Sequence, residues 1–237
     1  MKPAAVVFDL FGTLLDIASL RTAAAAFTGD PTALVATWRE KQLGYAFAAT
    51  LMERYQNFDE LTERALRFAA ARHAVTLRER DVAELANAWR SVAPYEDARP
   101  ALAALRRLGL RCGILTNGTP ETSRAALEHA GLAEGIDVLL SVESVAEYKP
   151  SPRVYALVTD HYGLPAERFV FVTANGWDAT GAAEFGLRVV WCNRTAAPAE
   201  TFGAAAASTV PDLRVLVAEL EREVSLHEVN GGRSESG

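Results

Sequence analysis

The stretch AVVFDLFGTLLD, residues 5–16, decides the fold: an unbroken apolar run ends on a carboxylate, Asp9, and the chain then turns at Gly12. Runs that are brief, β-branched or aromatic, and continuous rather than alternating read as parallel strands covered on both faces. Four more follow: LRCGIL (110–115), DVLL (137–140), RFVFV (168–172) and RVVWC (188–192). Between them stand helical patterns that stop at Gly109, Gly131, Gly163 and Gly186, where a left-handed C-terminal cap is wanted. Strand and helix in alternation predict an α/β fold, a doubly wound parallel sheet of Rossmann-like form.

One segment departs from the alternation. Residues 17–94 carry no strand signal and read as helices. Asp30 stands as an N-cap with Pro31 in the first turn, and Thr76 and Glu79 have capping-box spacing ahead of Val82, Leu85, Ala86 and Trp89. The segment is therefore expected to be a helical cap domain inserted into an α/β core of residues 1–16 and 95–225. The polar, glycine-rich end, residues 226–237, is expected to be a disordered tail.

Composition narrows the function classes. A net charge of -6 spread over both signs leaves no basic stripe for a phosphate backbone or an anionic membrane, so neither nucleic acid nor membrane is an expected partner. No apolar run is long enough to span a bilayer, and with the first motif so soon after Met1 and Lys2 no signal peptide is expected. Cys112 and Cys192 lie inside apolar runs and read as small core residues in a reducing compartment, so a cytoplasmic protein is expected. His73, His129, His161 and His227 show no ligand spacing, and the nucleophile elbow of serine hydrolases is missing.

In an open parallel sheet the ligand crevice lies beyond the carboxyl ends of the strands. Strand one ends on Asp9, strand two on Thr116 and Asn117, and the fourth run on Thr173, Asn175 and Asp178, while the third leads to Lys149. Lys149 is one of only three lysines among 24 basic residues, and Pro150 and Pro152 stiffen its loop. A compact ammonium at the mouth of the sheet favours the charged form of a neighbouring carboxylate, and a desolvated carboxylate is a competent nucleophile that forms an ester. Phe11 stands two residues after Asp9, where a second acid would make a magnesium site; with Asp178 alone the ligand set is thin, and no metal or organic cofactor is expected. The ring suits a substrate with an apolar or soft reacting part.

These residues match a known pattern. FDLFGTLLD resembles the first motif of the haloacid dehalogenase superfamily. TWREKQLGYAF, ERYQNF, ALRFAAARH, GILTNGTP, EYKPSPRVYAL and FVTANGWDATGAAEFG resemble, in content and order, its L-2-haloacid dehalogenase branch (type II). The resemblance runs over nearly the whole chain, and EYKPSPRVYAL followed by NGWDATGA is its most specific part. It implies that Asp9 displaces halide from C2 of a short L-2-haloacid with inversion, giving an aspartyl ester, and that Asp178 activates the water that opens it. It implies further that Lys149 holds Asp9, that Arg39 accepts the departing halide, and that Thr13 and Asn175 orient Asp9 and Lys149. Thr116 and Asn117 would bind the substrate carboxylate through backbone amides, with Thr173 beside them and Tyr155 hydrogen-bonded within the site. Leu10, Phe58 and Trp177 would wall the pocket together with Phe11. Without the resemblance, Arg39 reads as a solvated helix residue. The implied partners are a small 2-haloacid and its halide, and a second copy of the chain in a homodimer.

Several positions depart from the branch pattern: Phe11 replaces a tyrosine, Thr116 and Thr173 replace serines, Ala174 replaces a second serine, and Glu40 replaces a glutamine. Glu40 is expected to compete for the charge of Arg39. Two other readings stay open at this point, a magnesium-dependent phosphatase with an altered first motif and a catalytically idle module that binds a small carboxylate.

Overall fold

The computed structural model describes residues 2–231. The elements in chain order are β1 (Ala5–Phe8), α1 (Leu20–Ala24), α2 (Pro31–Leu51), α3 (Phe58–Arg72), α4 (Glu79–Asn87), α5 (Ala98–Arg107), β2 (Arg111–Thr116), α6 (Pro120–His129), β3 (Val138–Ser141), α7 (Pro152–Tyr162), β4 (Phe169–Thr173), α8 (Gly176–Phe185), β5 (Arg188–Cys192), β6 (Ser208–Val210) and α9 (Leu213–Gly231). The six strands form one sheet in the order β3-β2-β1-β4-β5-β6, and every pairing is parallel.

Both faces of this sheet are buried, which is why its strands read as continuous apolar runs. Val6 and Phe8 of β1 join Ile114, Val170, Val172 and Val190 in a cluster on one face; Ala5 and Val7 join Leu115, Phe169, Phe171 and Val189 on the other. Helix α9 closes the first face through Leu213, Leu216 and Leu220, and α7 closes the second through Val154, Tyr155 and Val158. The strand order reverses at β1, so the crevice outside β1 and β4 is the place the topology offers a ligand.

The helices end as their sequences predict. Gly109, Gly131, Gly163 and Gly186 all take positive φ, from 62° to 104°, conformations open to glycine without a Cβ penalty. Asp30 Oδ1 accepts from Ala33 N at 3.0 Å, capping α2. The capping box before α4 is displaced: Asp81 Oδ2 accepts from the backbone N–H of Arg78 at 2.9 Å, and the helix starts at Glu79 rather than after Thr76. Asp81, three residues on from Arg78, takes the capping place expected of Glu79, whose carboxylate instead takes both Nη donors of Arg67. Strand β6 is a second departure, being three residues long and without an apolar run to announce it. The tail is a third. Apolar residues at helical spacing, Leu213, Leu216, Leu220 and Val224, bury one face of α9, and the helix runs on to Gly231; positions 232–237 lie outside the described residues.

Residues between β1 and α5 fold into helices α1 to α4 and two 3-10 turns, Ile17–Ser19 and Ala88–Ser91, over the carboxyl ends of the strands. The two connections are tied side by side, Asp16 N donating to Ala93 O at 2.7 Å and Tyr95 N to Leu14 O at 2.9 Å. Farther out, Asp59 Oδ2 on α3 accepts from Thr119 Oγ1 (3.0 Å) and Thr122 Oγ1 (2.9 Å) at the start of α6. Tyr148 donates its hydroxyl to Gln56 O at 2.5 Å. Phe11, Trp89 and Trp38 are stacked edge to face, at 5.3 and 5.6 Å, and carry one apolar cluster from the sheet into the inserted helices. The inserted helices thereby cover the carboxyl ends of the central strands β1 and β4.

Candidate active site

Asp9 follows β1 directly, its N–H continuing the ladder to Val172 O at 2.9 Å. Its side chain is held from three directions. Oδ2 accepts from Thr13 Oγ1 at 2.9 Å and from Asn175 Nδ2 at 3.0 Å, while Oδ1 accepts from Lys149 Nζ at 3.0 Å. The Thr13 hydroxyl can donate in this direction because it accepts from Ala174 N at 2.9 Å. Gly12 makes the turn at φ 96°, a backbone conformation that L side chains rarely adopt, and so brings Thr13 back onto Asp9.

Lys149 is buried and bridges two acids, since Nζ also donates to Asp178 Oδ2 at 3.0 Å. It rests on the face of Phe171, 4.9 Å from the ring centroid. Burial by itself would push the ammonium down, but the charges of Asp178 and Asp9 and their hydrogen bonds outweigh it and raise its pKa above the ordinary lysine value. Asn117 Oδ1 accepts from Lys149 N at 3.1 Å and fixes the backbone that carries it.

Asp178, in the first turn of α8, is fully buried. Its other oxygen, Oδ1, accepts from Tyr155 OH at 2.8 Å. Burial raises its pKa, Lys149 pulls it down, Asp9 pushes it up, and the balance lies above the usual carboxylate range. Tyr155, pushed well above its normal value by burial beside Asp178, stays a donor. Thr116 and Thr173 spend their hydroxyls on the turns beyond their strands, accepting from Gly118 N at 3.0 Å and Asn175 N at 3.1 Å. A serine would make the same bonds.

The inserted helices contribute Arg39 from α2. Its guanidinium lies 5.7 Å from the Trp89 ring centroid and feels both Asp9 and Asp178; burial draws its pKa down to about 10 against their pull, so it is charged at neutral pH. Glu40 is exposed, and the hydrogen bond from Arg39 Nη1 goes to Gln42 Oε1 at 2.6 Å. The expected competition from Glu40 is thus corrected, because adjacent residues on a helix do not face each other.

Phe11 and Phe58 line a cleft of about 170 Å³ with Gln42, Trp89 and Gly118, between the sheet edge and the inserted helices. A Cβ on Gly118 would stand 3.0 Å from the Phe11 ring and 2.7 Å from Ser123 Oγ, so only glycine leaves the ring its place. Leu10 is buried in the sheet cluster behind Phe11. Trp177 packs against Phe47 at 5.1 Å and lines a separate apolar groove that reaches Lys149 and Pro150. Among the described residues no three His, Cys, Asp or Glu side chains gather as a metal site, and the position between Asp9 and Asp178 is filled by an ammonium.

Sequence reasoning missed Gln42, Trp89 and Arg194. Arg194, after β5, donates through both Nη atoms to Asp97 (2.8 and 3.0 Å) and to Thr13 O at 3.1 Å, bracing the Asp9 turn from behind. Arg194 could have been sought as a polar residue just past a strand end; Gln42 and Trp89 give no local signal.

The family model for haloacid dehalogenase-like hydrolases matches residues 3–186. The chain is 40% identical to an (S)-2-haloacid dehalogenase of Pseudomonas sp. (strain YL), over 98% of this chain and 97% of that protein. It superposes on the crystal structure of the L-2-haloacid dehalogenase RSc1362 with a TM-score of 0.90 and 36% identity, covering 93% of this chain and 100% of that one. It also superposes on the L-2-haloacid dehalogenase of Xanthobacter autotrophicus with chloropropionic acid covalently bound, with a TM-score of 0.85, 32% identity and coverage of 92% and 98%. The chain belongs to the haloacid dehalogenase-like hydrolases and, within them, to the (S)-2-haloacid dehalogenases.

Proposed function

We propose that the protein hydrolyses short L-2-haloacids to D-2-hydroxyacids and halide in two displacements, without a metal. The observation that carries this reading is the Asp9–Lys149–Asp178 line, an acid in place to attack and a buried acid in place to serve as base, joined by one ammonium. The covalently bound chloropropionic acid in the Xanthobacter relative supports an ester path.

In the first step an Asp9 carboxylate oxygen attacks C2 from the side opposite the halogen. The C–O bond forms, the carbon–halogen bond breaks with its electron pair leaving on the halide, and C2 inverts. Thr13, Asn175 and Lys149 hold the carboxylate in one orientation, which removes rotational freedom before attack. Arg39 offers its positive charge to the departing halide, and the Thr116–Asn117 backbone binds the substrate carboxylate. Phe11 and Phe58 give the carbon chain an apolar wall.

In the second step Asp178 takes a proton from water, whose oxygen adds to the Asp9 carbonyl carbon. Collapse of that intermediate breaks the bond between the Asp9 carboxyl carbon and the ester oxygen, that oxygen takes the proton held by Asp178 as the hydroxyacid leaves, and the Asp9 carboxyl gives up its own proton to solvent, so that both acids return to carboxylates. The product oxygen on C2 therefore comes from Asp9. The Phe11 side chain supplies no carboxylate beside Asp9, which leaves a magnesium-dependent phosphoryl transfer without a second acid in this loop.

The test is halide release from each enantiomer of 2-chloropropionate in excess EDTA. The expected result is stoichiometric chloride and D-lactate from the L enantiomer only. No release from folded protein, or release abolished by EDTA, would reject the proposal.

A further inference from the structure

An arginine side chain has many rotamers, and a guanidinium that must meet a departing ion has to be held in one of them. Gln42, one turn beyond Arg39 on α2, is fully buried. Its Oε1 accepts from Arg39 Nη1 at 2.6 Å, and its Nε2 donates to Thr62 Oγ1 at 2.5 Å. The Thr62 hydroxyl in turn donates to Phe58 O at 2.8 Å, within α3. Chemistry fixes the direction of this relay. A guanidinium can only donate, so the amide oxygen must face it; the amide nitrogen then needs an acceptor, and a hydroxyl already committed to Phe58 supplies one. The relay therefore ties the rotamer of Arg39 on α2 to the backbone of α3.

We propose that Gln42 is the positioning residue for Arg39, with Thr62 as its anchor, and that the pair sets how well the protein expels a poor leaving group. The proposal rests on the reading of Arg39 as the halide acceptor. A donor held in place before charge develops stabilises the departing halide without reorganising. When its hold is lost, chloride, the poorer leaving group, suffers more than bromide.

The experiment measures kcat and KM for L-2-chloropropionate and L-2-bromopropionate in Gln42→Met, Arg39→Ala and the double variant. Gln42→Met keeps the length of the side chain and removes both hydrogen bonds. It is expected to lower kcat on the chloride about tenfold to hundredfold, the scale of one hydrogen bond to a charged group. The loss on the bromide should be smaller, and in the Arg39→Ala background Gln42→Met should cost about nothing more. A merely structural glutamine would lower both substrates alike and multiply with Arg39→Ala, which overturns the proposal. Should Gln42→Met not fold, Thr62→Val and Thr62→Ser decide. Thr62→Val must shift the bromide-to-chloride ratio upward while Thr62→Ser keeps it at the wild-type value, and equal behaviour of the two overturns the proposal. Absence of halide release from the wild-type protein would overturn the reading of Arg39 and this inference with it. Wild-type turnover with an impaired Arg39→Ala and an unchanged Gln42→Met would overturn this inference alone.

Discussion

Asp178, the base in the proposed reaction, takes its titration from its surroundings. It is buried against Tyr155, shares Lys149 with Asp9, and its pKa lies above the usual carboxylate range because burial outweighs the ammonium. As a base it must be unprotonated, so its contribution is present above that raised pKa and is lost as pH falls through it. Burial, the largest cause of the rise, persists when Asp9 is an uncharged ester, so the steady-state rate should fail on the acid side at a pH above about 4, where an ordinary aspartate would titrate. Formation of the ester does not use Asp178 as a base, so a burst of halide equal to the enzyme should outlast the steady-state rate as pH is lowered. Neither cation limits the neutral range, since Lys149 is raised and Arg39 is held at about 10. Rapid-quench halide release across pH checks the account, and a burst and steady state that fail together at one pH would contradict it.

At the scale of elements, the site depends on how closely α8 approaches α7. A Cβ on Gly181 would stand 2.5 Å from Pro150 Cβ and 2.7 Å from Tyr155 OH. On helix propensity alone Gly181→Ala should stabilise by about 1 kcal/mol. Overpacking typically costs about 1–3 kcal/mol, and here the neighbour is a proline ring that cannot swing away, so the clash should win. The Tyr155 hydroxyl should also move off Asp178. The variant is expected to be less stable in urea denaturation and slower in turnover; greater stability with unchanged kcat would contradict the packing argument. Gly181 also marks what the sequence could tell. The motif NGWDATGA contains it, but nothing in the motif shows its neighbours Pro150 and Tyr155, which come from another loop and helix. The first five strands were legible because both sheet faces are covered, and the strand-end polar residues were legible because topology sends all strand ends to one edge. Strand β6 was hidden by its three-residue length, and Asp81 by an N-cap, Arg78, whose side chain gives no capping signal. Gln42 and Trp89 were hidden because their partners lie on other elements, and nothing local distinguishes them from ordinary helix residues.

For the molecule as a whole, the proposed reaction draws on the sheet and the inserted helices together. The sheet edge supplies Asp9, Lys149 and Asp178, and the helices supply Arg39 and Phe58. The Phe11–Trp89–Trp38 stack and the Asp59 bonds to Thr119 and Thr122 hold the two in register. Phe11 is a packing residue in this arrangement: its ring meets Trp89 at 5.3 Å and lies against Gly118, where a Cβ would stand 3.0 Å from it. The covalent ester on Asp9 is what separates the proposed path from direct hydrolysis at C2. The most direct test is peptide mass spectrometry of Asp178→Asn after incubation with L-2-chloropropionate. The account predicts one equivalent of chloride and a single carboxyethyl group on the peptide bearing Asp9. Chloride release with Asp9 unmodified, or modification at another residue, would contradict it.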